Sequence, residues 1–183
     1  MRVISGTARG CKLQPVEGMN TRPTTDRVKE SVFNIIQMHI RDAVVLDLFA
    51  GTGQLGIETL SRGAKYCDFV DSDKKAQNTI KNNLSLARVQ DRAKLHKMQA
   101  GEFLKRSSGT KYDIILLDPP YGGKILNDTL FMLNQFDILS RSGIILCESA
   151  VNDEICSPYK MGKQYRYGAT KINLLYHPNS IDD

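Results

Sequence analysis

Apolar residues along the chain fall into short blocks that alternate with segments of helical spacing. Blocks without polar alternation, such as 114–117, are typical of strands buried on both faces of a parallel sheet. Between the blocks, apolar residues recur every three or four positions, as in amphipathic helices. We therefore predict an α/β fold with a mostly parallel sheet wrapped by helices. Strands are expected near 43–48, 66–71, 94–98, 112–118 and 143–148, and helices near 54–62, 73–87, 101–106 and 126–136.

The two ends of the chain depart from this alternation. Residues 2–13 predict two short strands around a glycine-bounded turn, and Asp26 is suited to cap a helix that begins at Arg27. Residues 159–176 predict a hairpin that closes the sheet. We therefore expect an N-terminal hairpin and basic arm over residues 1–25, and a main domain over residues 26–183.

Composition indicates a soluble globular protein. The chain has 183 residues, of which 41% are hydrophobic and 25% charged, enough for one domain with a full core. Its four cysteines include no C-x-x-C pair, so we expect reduced packing residues and no metal. No apolar run is long enough to cross a membrane, and the first residues lack the apolar region of a signal peptide. We expect a cytoplasmic monomer with no membrane partner.

A glycine loop follows the first predicted strand. The segment 44–50 runs into Gly51-Thr52-Gly53-Gln54-Leu55-Gly56 and then a helix, the arrangement of a nucleotide-type pocket. Asp71 ends the next strand, where it can accept both hydroxyls of a ribose. Asp47 favours S-adenosylmethionine over NAD, because a carboxylate at the mouth of the glycine turn repels a pyrophosphate and attracts an ammonium. The predicted cofactor contacts are Asp47, Phe49, Gly51, Thr52, Gly53, Gln54, Asp71, Ser72, Gln99 and Ala100.

A second candidate site follows the apolar block 114–117. Its sequence is Asp118-Pro119-Pro120-Tyr121, and two prolines cannot continue a strand, so Asp118 lies at the carboxyl end where open α/β sheets bind ligands. The Asp118 carboxylate and the Pro119 carbonyl can both accept hydrogen bonds from one exocyclic amine, with Tyr121 stacked on the attached ring. The alternative is an ordinary turn, since Asp and Pro are common turn residues.

Positive charge is concentrated at the N-terminus. Residues 1–29 hold six basic and two acidic residues, while the whole chain has a formal charge of +5. A basic arm on a nearly neutral body is typical of a nucleic-acid partner, although a solvated basic surface is the plainer alternative. The candidate RNA contacts are Arg2, Arg9, Lys12, Arg22, Arg27 and Lys124.

Over nearly its whole length the chain resembles the RsmD family of bacterial small-subunit ribosomal RNA guanine-N2 methyltransferases. The resemblance rests on the segments 1–10, 21–30, 47–53, 60–64 and 118–121. It implies a seven-stranded, Rossmann-like fold dependent on S-adenosylmethionine, with an antiparallel C-terminal hairpin. It also implies a role in rRNA processing: methylation of a guanine of 16S rRNA in an assembled or partly assembled small subunit.

One departure from the family and three alternatives remain at this point. The family usually has Asp after the third strand as acceptor for the adenine amine of the cofactor, whereas this chain has Gln99, which can accept that bond without a charge. The alternatives are an adenine-N6 methyltransferase acting on RNA or DNA, a nicotinamide oxidoreductase, and a non-catalytic RNA-binding assembly module.

Overall fold

The structure, a computed structural model, describes residues 1–18, 26–120 and 122–180, apart from the side chains of Asp26 and Arg27. Helices and strands alternate through most of this range. The helices are α1 (Asp26–Ile35), α2 (Gln37–Ile40), α3 (Gln54–Ser61), α4 (Lys74–Ala87), α5 (Ala100–Arg106) and α6 (Lys124–Gln135). The strands are β1 (Val44–Asp47), β2 (Tyr66–Val70), β3 (Ala93–His96), β4 (Tyr112–Leu117), β5 (Leu139–Ala150), β6 (Lys160–Tyr167) and β7 (Thr170–Tyr176).

The seven strands form one sheet in the order β3-β2-β1-β4-β5-β7-β6. Strands β1 to β5 run parallel, and β7 pairs antiparallel with both β5 and β6. This confirms the predicted parallel sheet with an antiparallel C-terminal hairpin. The chain order reverses between β1 and β4, and such a reversal opens a crevice at the carboxyl ends of the strands.

Each face of the sheet is covered by its own apolar core, because the central strands are buried on both faces. One core joins α1, α3 and α4 to the sheet and includes Phe33, Ile57 and Ile80. The other joins α5 and α6 to the opposite face and includes Leu104 and Leu130. These continuous apolar strands are what a parallel sheet requires.

The first thirteen residues dock onto α3. The carboxylate of Glu58, fully buried, accepts hydrogen bonds from the backbone N–H groups of Ile4 (2.8 Å) and Ser5 (3.0 Å). Ser61 accepts from Thr7 N–H at its carbonyl and from Ala8 N–H at its hydroxyl. The two predicted strands are therefore reduced to one antiparallel bridge, Arg2 to Lys12, because α3 takes up the amide groups between them.

Asn83 on α4 joins this arm to the glycine loop. Its fully buried side chain donates to the carbonyls of Gln14 (3.0 Å) and Thr52 (2.9 Å), and accepts from Gln14 N–H (2.7 Å). Burying an amide is favourable only when its polar atoms are paired, as they are here. One side chain thus fixes both the arm and the loop relative to α4.

Apart from the N-terminal arm, element boundaries agree with the sequence prediction to within about two residues, with one exception. β5 begins at Leu139 and not near 143, because Leu139 already pairs with Tyr112 of β4, and Ser140 to Gly143 form an irregularity before the regular pairing of Ile114 with Ile144. At the other end it is prolonged by pairing with β7 up to Ala150.

All four cysteines are free thiols, as expected. Cys67 in β2 and Cys147 in β5 are buried packing residues, whereas Cys11 is half-buried and Cys156 is exposed, so Cys156 is not the packing residue that the sequence predicts. No helix in the described part of the chain is long and apolar enough to cross a membrane.

We predict that Gly6→Ala loosens the arm from α3. Gly6 has φ +83°, and a Cβ there would lie 1.8 Å from the carbonyl oxygen of Ser61. Gly10→Ala is the matched control, since Gly10 has φ +82° and no neighbour within 4 Å. The control should lower the free energy of unfolding by about 1–2 kcal/mol through backbone strain alone. Gly6→Ala should cost roughly 1–3 kcal/mol more through the collision.

Urea unfolding of both variants and amide hydrogen exchange at Thr7 measure this difference. Equal destabilisation by the two substitutions, with Thr7 equally protected, would contradict the described docking.

Candidate active site

Three carboxyl groups lie at adjacent positions near the carboxyl ends of the central strands. Asp47 is the last residue of β1, Asp118 follows β4 directly, and Glu148 lies in β5. Asp47 of β1 pairs with Leu116 of β4, two residues before Asp118. Leu117 of β4 pairs with Cys147 of β5, so the next residues on these strands, Asp118 and Glu148, are neighbours. Among the described residues, no such group of acids, cysteines and histidines could hold a metal ion.

Burial shifts the protonation of two of these carboxyls. Asp118 is half-buried, and its desolvation, followed by the negative charges of Glu148 and Asp47, raises its pKa to about 7. Desolvation also raises the pKa of Asp47 to about 7. The hydrogen bond from Gly56 N–H acts in the opposite direction, and the negative charge of Asp71 adds to the rise. A carboxyl that titrates near neutral pH at a strand end is typical of a functional site.

The glycine loop is held by carboxylates on both sides. Gly51 N–H donates to Asp71 Oδ2 (2.8 Å), and Gly56 N–H donates to Asp47 Oδ2 (2.9 Å). Gly51 and Gly53 have φ of +55° and +75°, a conformation that favours glycine. Gly56 must lack a side chain for another reason: a Cβ there would lie 2.4 Å from the ring of Phe69.

A cleft of about 310 Å³ opens beside this loop at the carboxyl ends of β1, β2 and β3. Its walls combine apolar side chains with a few polar ones, as small-molecule sites do. The lining residues are Leu48, Phe49, Val70, Asp71, Ser72, Met98, Gln99, Ala100, Gly101, Ile125, Asp128, Thr129 and Met132. Two larger hollows, of about 620 and 740 Å³, lie at the amino ends of the parallel strands, away from the three carboxyls.

Half of the predicted cofactor residues line this cleft directly. They are Phe49, Asp71, Ser72, Gln99 and Ala100. Gly51, Thr52, Gly53 and Gln54 form the adjoining loop and the start of α3. Asp47 lies beneath that loop, 1% exposed, with Oδ2 on the backbone of Gly56, so its contact with a ligand stays a prediction.

The wall formed by α6 was missed by the sequence analysis. Ile125, Asp128, Thr129 and Met132 share one face of that helix, at spacings of three and four residues. Such a stripe is visible in the sequence, but nothing local indicates which neighbour it faces. Asp128 places an exposed carboxylate on the same cleft as Gln99, where the family's Asp is absent.

The other predicted residues are distributed around these features. Pro119 is buried and Pro120 exposed, next to Asp118. Arg2, Arg9 and Lys12 are exposed on the arm, and Lys124 is exposed at the first residue of α6. Arg22, Tyr121 and the side chain of Arg27 lie outside the described residues.

A family model described as "Conserved hypothetical protein 95" matches residues 1–176. The chain belongs to this family. This is the RsmD family expected from the sequence, and its members extend over the arm as well as the main domain.

Named relatives cover most of the chain. The Bacillus subtilis (strain 168) "Putative rRNA methyltransferase YlbH" is 44% identical over 183 residues, 95% of this chain and 97% of its own. "Ribosomal RNA small subunit methyltransferase D" of Escherichia coli (strain K12) is 35% identical over 84% of this chain and 76% of its own. The protein of the same name from Haemophilus influenzae is 33% identical over 86% and 83%.

Solved structures of similar proteins have the same fold as this chain. "Putative methyltransferase yhhF from Escherichia coli" superposes with a TM-score of 0.87 at 33% identity, covering 97% of each chain. The Haemophilus influenzae "putative methylase HI0767" is 29% identical and superposes with a TM-score of 0.81, over 96% of this chain and 97% of its own. The whole described architecture is therefore that of known methyltransferase-fold proteins.

We predict that Asp47→Asn flattens the pH dependence of stability. The pKa of Asp47 and of Asp118 is about 7 in the folded chain against an ordinary 3.8, so the folded state binds more protons than the unfolded state between about pH 4 and 7. Raising the pH across this window should lower the free energy of unfolding. Asparagine keeps an oxygen for Gly56 N–H but removes one titrating group.

Urea unfolding at several pH values measures the slope, with Asp91→Asn as the control at an exposed carboxyl. The prediction fails if Asp47→Asn and wild type lose stability equally between pH 4 and 7.

Proposed function

We propose that this chain transfers a methyl group from S-adenosylmethionine to the exocyclic N2 amine of a guanine in small-subunit ribosomal RNA. The family and the names of its relatives support rRNA methylation. The observation that carries the amine chemistry is Asp118: a half-buried carboxyl directly after β4, followed in the chain by two prolines.

The residues around the cleft suit S-adenosylmethionine. Asp71 uses both carboxylate oxygens on backbone N–H groups, of Gly51 and Asp73, and a carboxylate retains further acceptor sites for ribose hydroxyls. Gln99 and Asp128 offer acceptors for the adenine amine, with Met98, Ala100 and Ile125 as apolar walls. At the first residue of α3, which follows the glycine loop, Oε1 of Gln54 is buried and has no hydrogen-bond partner within the described parts of the chain. An ammonium group would supply the missing donor.

The reaction needs alignment more than acid–base strength. When bound, S-adenosylmethionine supplies a methyl group on a positive sulfur, which keeps the C–S electron pair as the amine lone pair forms the N–C bond and a proton leaves. Asp118 and the Pro119 carbonyl hold the amine by its two N–H groups and direct its lone pair toward the cleft. Holding reactants at about 3–3.5 Å in line accounts for much of the rate in such reactions.

The pKa of Asp118 gives this role a pH dependence. The carboxyl must be ionised to accept both the hydrogen bond and, as the amine becomes acidic on methylation, its proton. With a pKa of about 7, Asp118 becomes competent as the pH rises through neutrality. A positive charge near the incoming amine would lower this raised pKa in the complex.

The arm over residues 1–25 is proposed to dock RNA, apart from the main domain over residues 26–183. The bridge pair Arg2 and Lys12 places two cations opposite each other, an unfavourable arrangement that a polyanion relieves. Arg9 is exposed on the same arm, and Asn83 links the arm to the glycine loop. The target guanine must be unstacked to enter the site, which suits an RNA loop in a small subunit, and such a substrate is cytoplasmic.

Adenine-N6 methylation is the closest alternative, because Asp118-Pro-Pro-Tyr121 would hold that amine equally well. A nicotinamide oxidoreductase is disfavoured by rRNA methyltransferase relatives that match most of the chain. A non-catalytic assembly module is disfavoured because the glycine loop, the cleft and Asp118 are all in place.

We predict that Asp118→Ala abolishes methyl transfer while leaving S-adenosylmethionine binding nearly intact, because Asp118 contacts the amine and not the cofactor. Asp71→Ala is the converse variant: it should weaken cofactor binding by about 1.5–3 kcal/mol, roughly 10- to 100-fold. Calorimetry gives the affinities. Single-turnover assays on small subunits from a strain lacking this gene, with labelled methyl donor and nucleoside identification, give the chemistry.

Substantial N2-methylguanosine formation by Asp118→Ala would exclude the proposed role. If wild type placed the label in N6-methyladenosine, the substrate base would be adenine and not guanine. Absence of cofactor binding by wild type would favour the assembly module. In the same assay Tyr121→Phe should be much milder than Tyr121→Ala, since stacking, worth about 1–3 kcal/mol per base, needs the ring and not the hydroxyl.

We predict that replacing Arg9 and Lys12 by Gln weakens RNA binding and flattens its salt dependence. Each lost phosphate contact should reduce the slope of log K against log salt by about 0.7–0.9. The variant leaves the docked backbone and the core residues Val3 and Leu13 in place. Lys163→Gln is the control, an exposed lysine near the opposite edge of the sheet. An unchanged slope in the double variant would make the arm a solvated surface only.

A further inference from the structure

We propose that Glu148 selects guanine over adenine by accepting the N1–H group of the base whose amine Asp118 holds. This inference rests on the proposed function and adds to it a second base contact. Glu148 would be a specificity-determining residue that touches the substrate. The motif Asp118-Pro-Pro-Tyr121 does not by itself distinguish guanine from adenine, because both bases carry an exocyclic amine.

The sheet register puts Glu148 beside Asp118. Leu117 pairs with Cys147 between β4 and β5, and the next residue on each strand is one of the two acids. On its other side Glu148 pairs with Ile172 of β7, so the backbone that carries it is held between two strands. Its side chain is half-buried, so part of it is accessible to solvent. The negative charge of Glu148 also contributes to the raised pKa of Asp118, consistent with their proximity.

The strand order fixes which side of the amine the base must occupy. The cleft lies over the ends of β1, β2 and β3, on one side of β4, and β5 lies on the other. When the amine nitrogen of a base held at Asp118 faces the cleft, the ring of that base therefore lies on the side of β5. Glu148 is the acidic residue of β5 at that position.

The edges of the two bases differ at the atom next to the amine. In guanine the N2 amine is followed by N1–H, so two donors lie side by side. In adenine the N6 amine is followed by N1 with a lone pair, so a donor lies beside an acceptor. Two neighbouring carboxylates are a pair of acceptors: they satisfy the guanine edge, and they oppose the adenine N1 lone pair with a negative charge.

Asp47, the third carboxyl group at these strand ends, is not available for this contact. Asp47 is 1% exposed and accepts the N–H of Gly56. Glu148 makes contacts within the chain as well, and a carboxylate has about four acceptor sites, so it can hold these and one base N–H together. Sites that hydrogen-bond a substrate group reject analogues that lack it, because their own polar atoms are then left unpaired.

The test compares guanine with 2-aminopurine at the methylated position, once that nucleotide has been identified. 2-Aminopurine keeps the N2 amine but has an N1 lone pair in place of N1–H. Small subunits reconstituted with each base are assayed with wild type, Glu148→Gln and Glu148→Ala. Glu154→Gln is the control, an exposed glutamate beyond the end of β5. Cofactor affinity and thermal unfolding are recorded for every variant.

Wild type should prefer guanine to 2-aminopurine by at least 10-fold in kcat/KM. Glu148→Gln should lose about 10- to 100-fold on guanine. It should also raise the ratio of 2-aminopurine to guanine activity at least 10-fold, because an amide N–H can donate to the N1 lone pair. Glu148→Ala should lose activity on guanine with no such gain, which separates base reading from a structural effect. 2-Aminopurine also lacks the guanine O6, but this difference is the same for every variant and so cannot produce the rise in the ratio with Glu148→Gln.

The inference is overturned if wild type methylates both bases equally, a result that requires no variant to fold. It is also overturned if Glu148→Gln keeps the wild-type ratio within threefold while binding cofactor normally. Failure of the proposed function has a different signature: wild type then forms no N2-methylguanosine at all.

Discussion

The structure of the site depends on two hydrogen bonds that fasten the glycine loop to the ends of neighbouring strands. Asp71 accepts Gly51 N–H at 2.8 Å, and Asp47 accepts Gly56 N–H at 2.9 Å. These bonds shape the loop that borders the cleft and lay the start of α3 against β1. From α3, Glu58 fixes the arm through the amides of Ile4 and Ser5. The glycine loop beside the candidate cofactor cleft and the candidate RNA-docking arm are thus both attached to α3.

The row of carboxyls at the strand ends has opposite consequences for stability and function. Burying Asp47 and half-burying Asp118 beside Glu148 raises the pKa of the first two to about 7, which means that their ionised forms destabilise the fold. The same proximity supplies two acceptors where a base edge with two donors would lie. An active site commonly retains such unfavourable charge because the substrate relieves it.

Much of this arrangement could be predicted from local sequence. The apolar block before Asp118 and the prolines after it place that residue at a strand end, and β4 ends at Leu117. Asp71, Ser72, Gln99 and Ala100 follow from the positions of strand ends, and all four line the cleft. The placement of these residues at strand ends could be predicted because strand periodicity and proline geometry act over a few residues.

What could not be predicted depends on contacts between distant segments. From the sequence, Asp47 is expected to face a ligand at the mouth of the glycine turn with a charged carboxylate. In the structure it is buried, accepts the N–H of Gly56, and has its pKa raised toward neutrality. The bonds of Asn83 to Gln14 and Thr52 join residues far apart in the chain. The neighbourhood of Glu148 and Asp118 follows from the β4–β5 register, and the face of α6 that carries Asp128 from helix packing. Neither register nor packing is written in the local pattern.

The central claim, methylation of one small-subunit guanine at N2, is tested most directly in the cell. Ribosomal RNA from a strain lacking this gene is digested to nucleosides, and its modified bases are quantified by mass spectrometry against the parent strain and a strain with the gene restored. The account predicts that one N2-methylguanosine per small-subunit RNA disappears and returns on complementation, with other modifications unchanged. An unaltered N2-methylguanosine content, or loss of a different modified base, would contradict it.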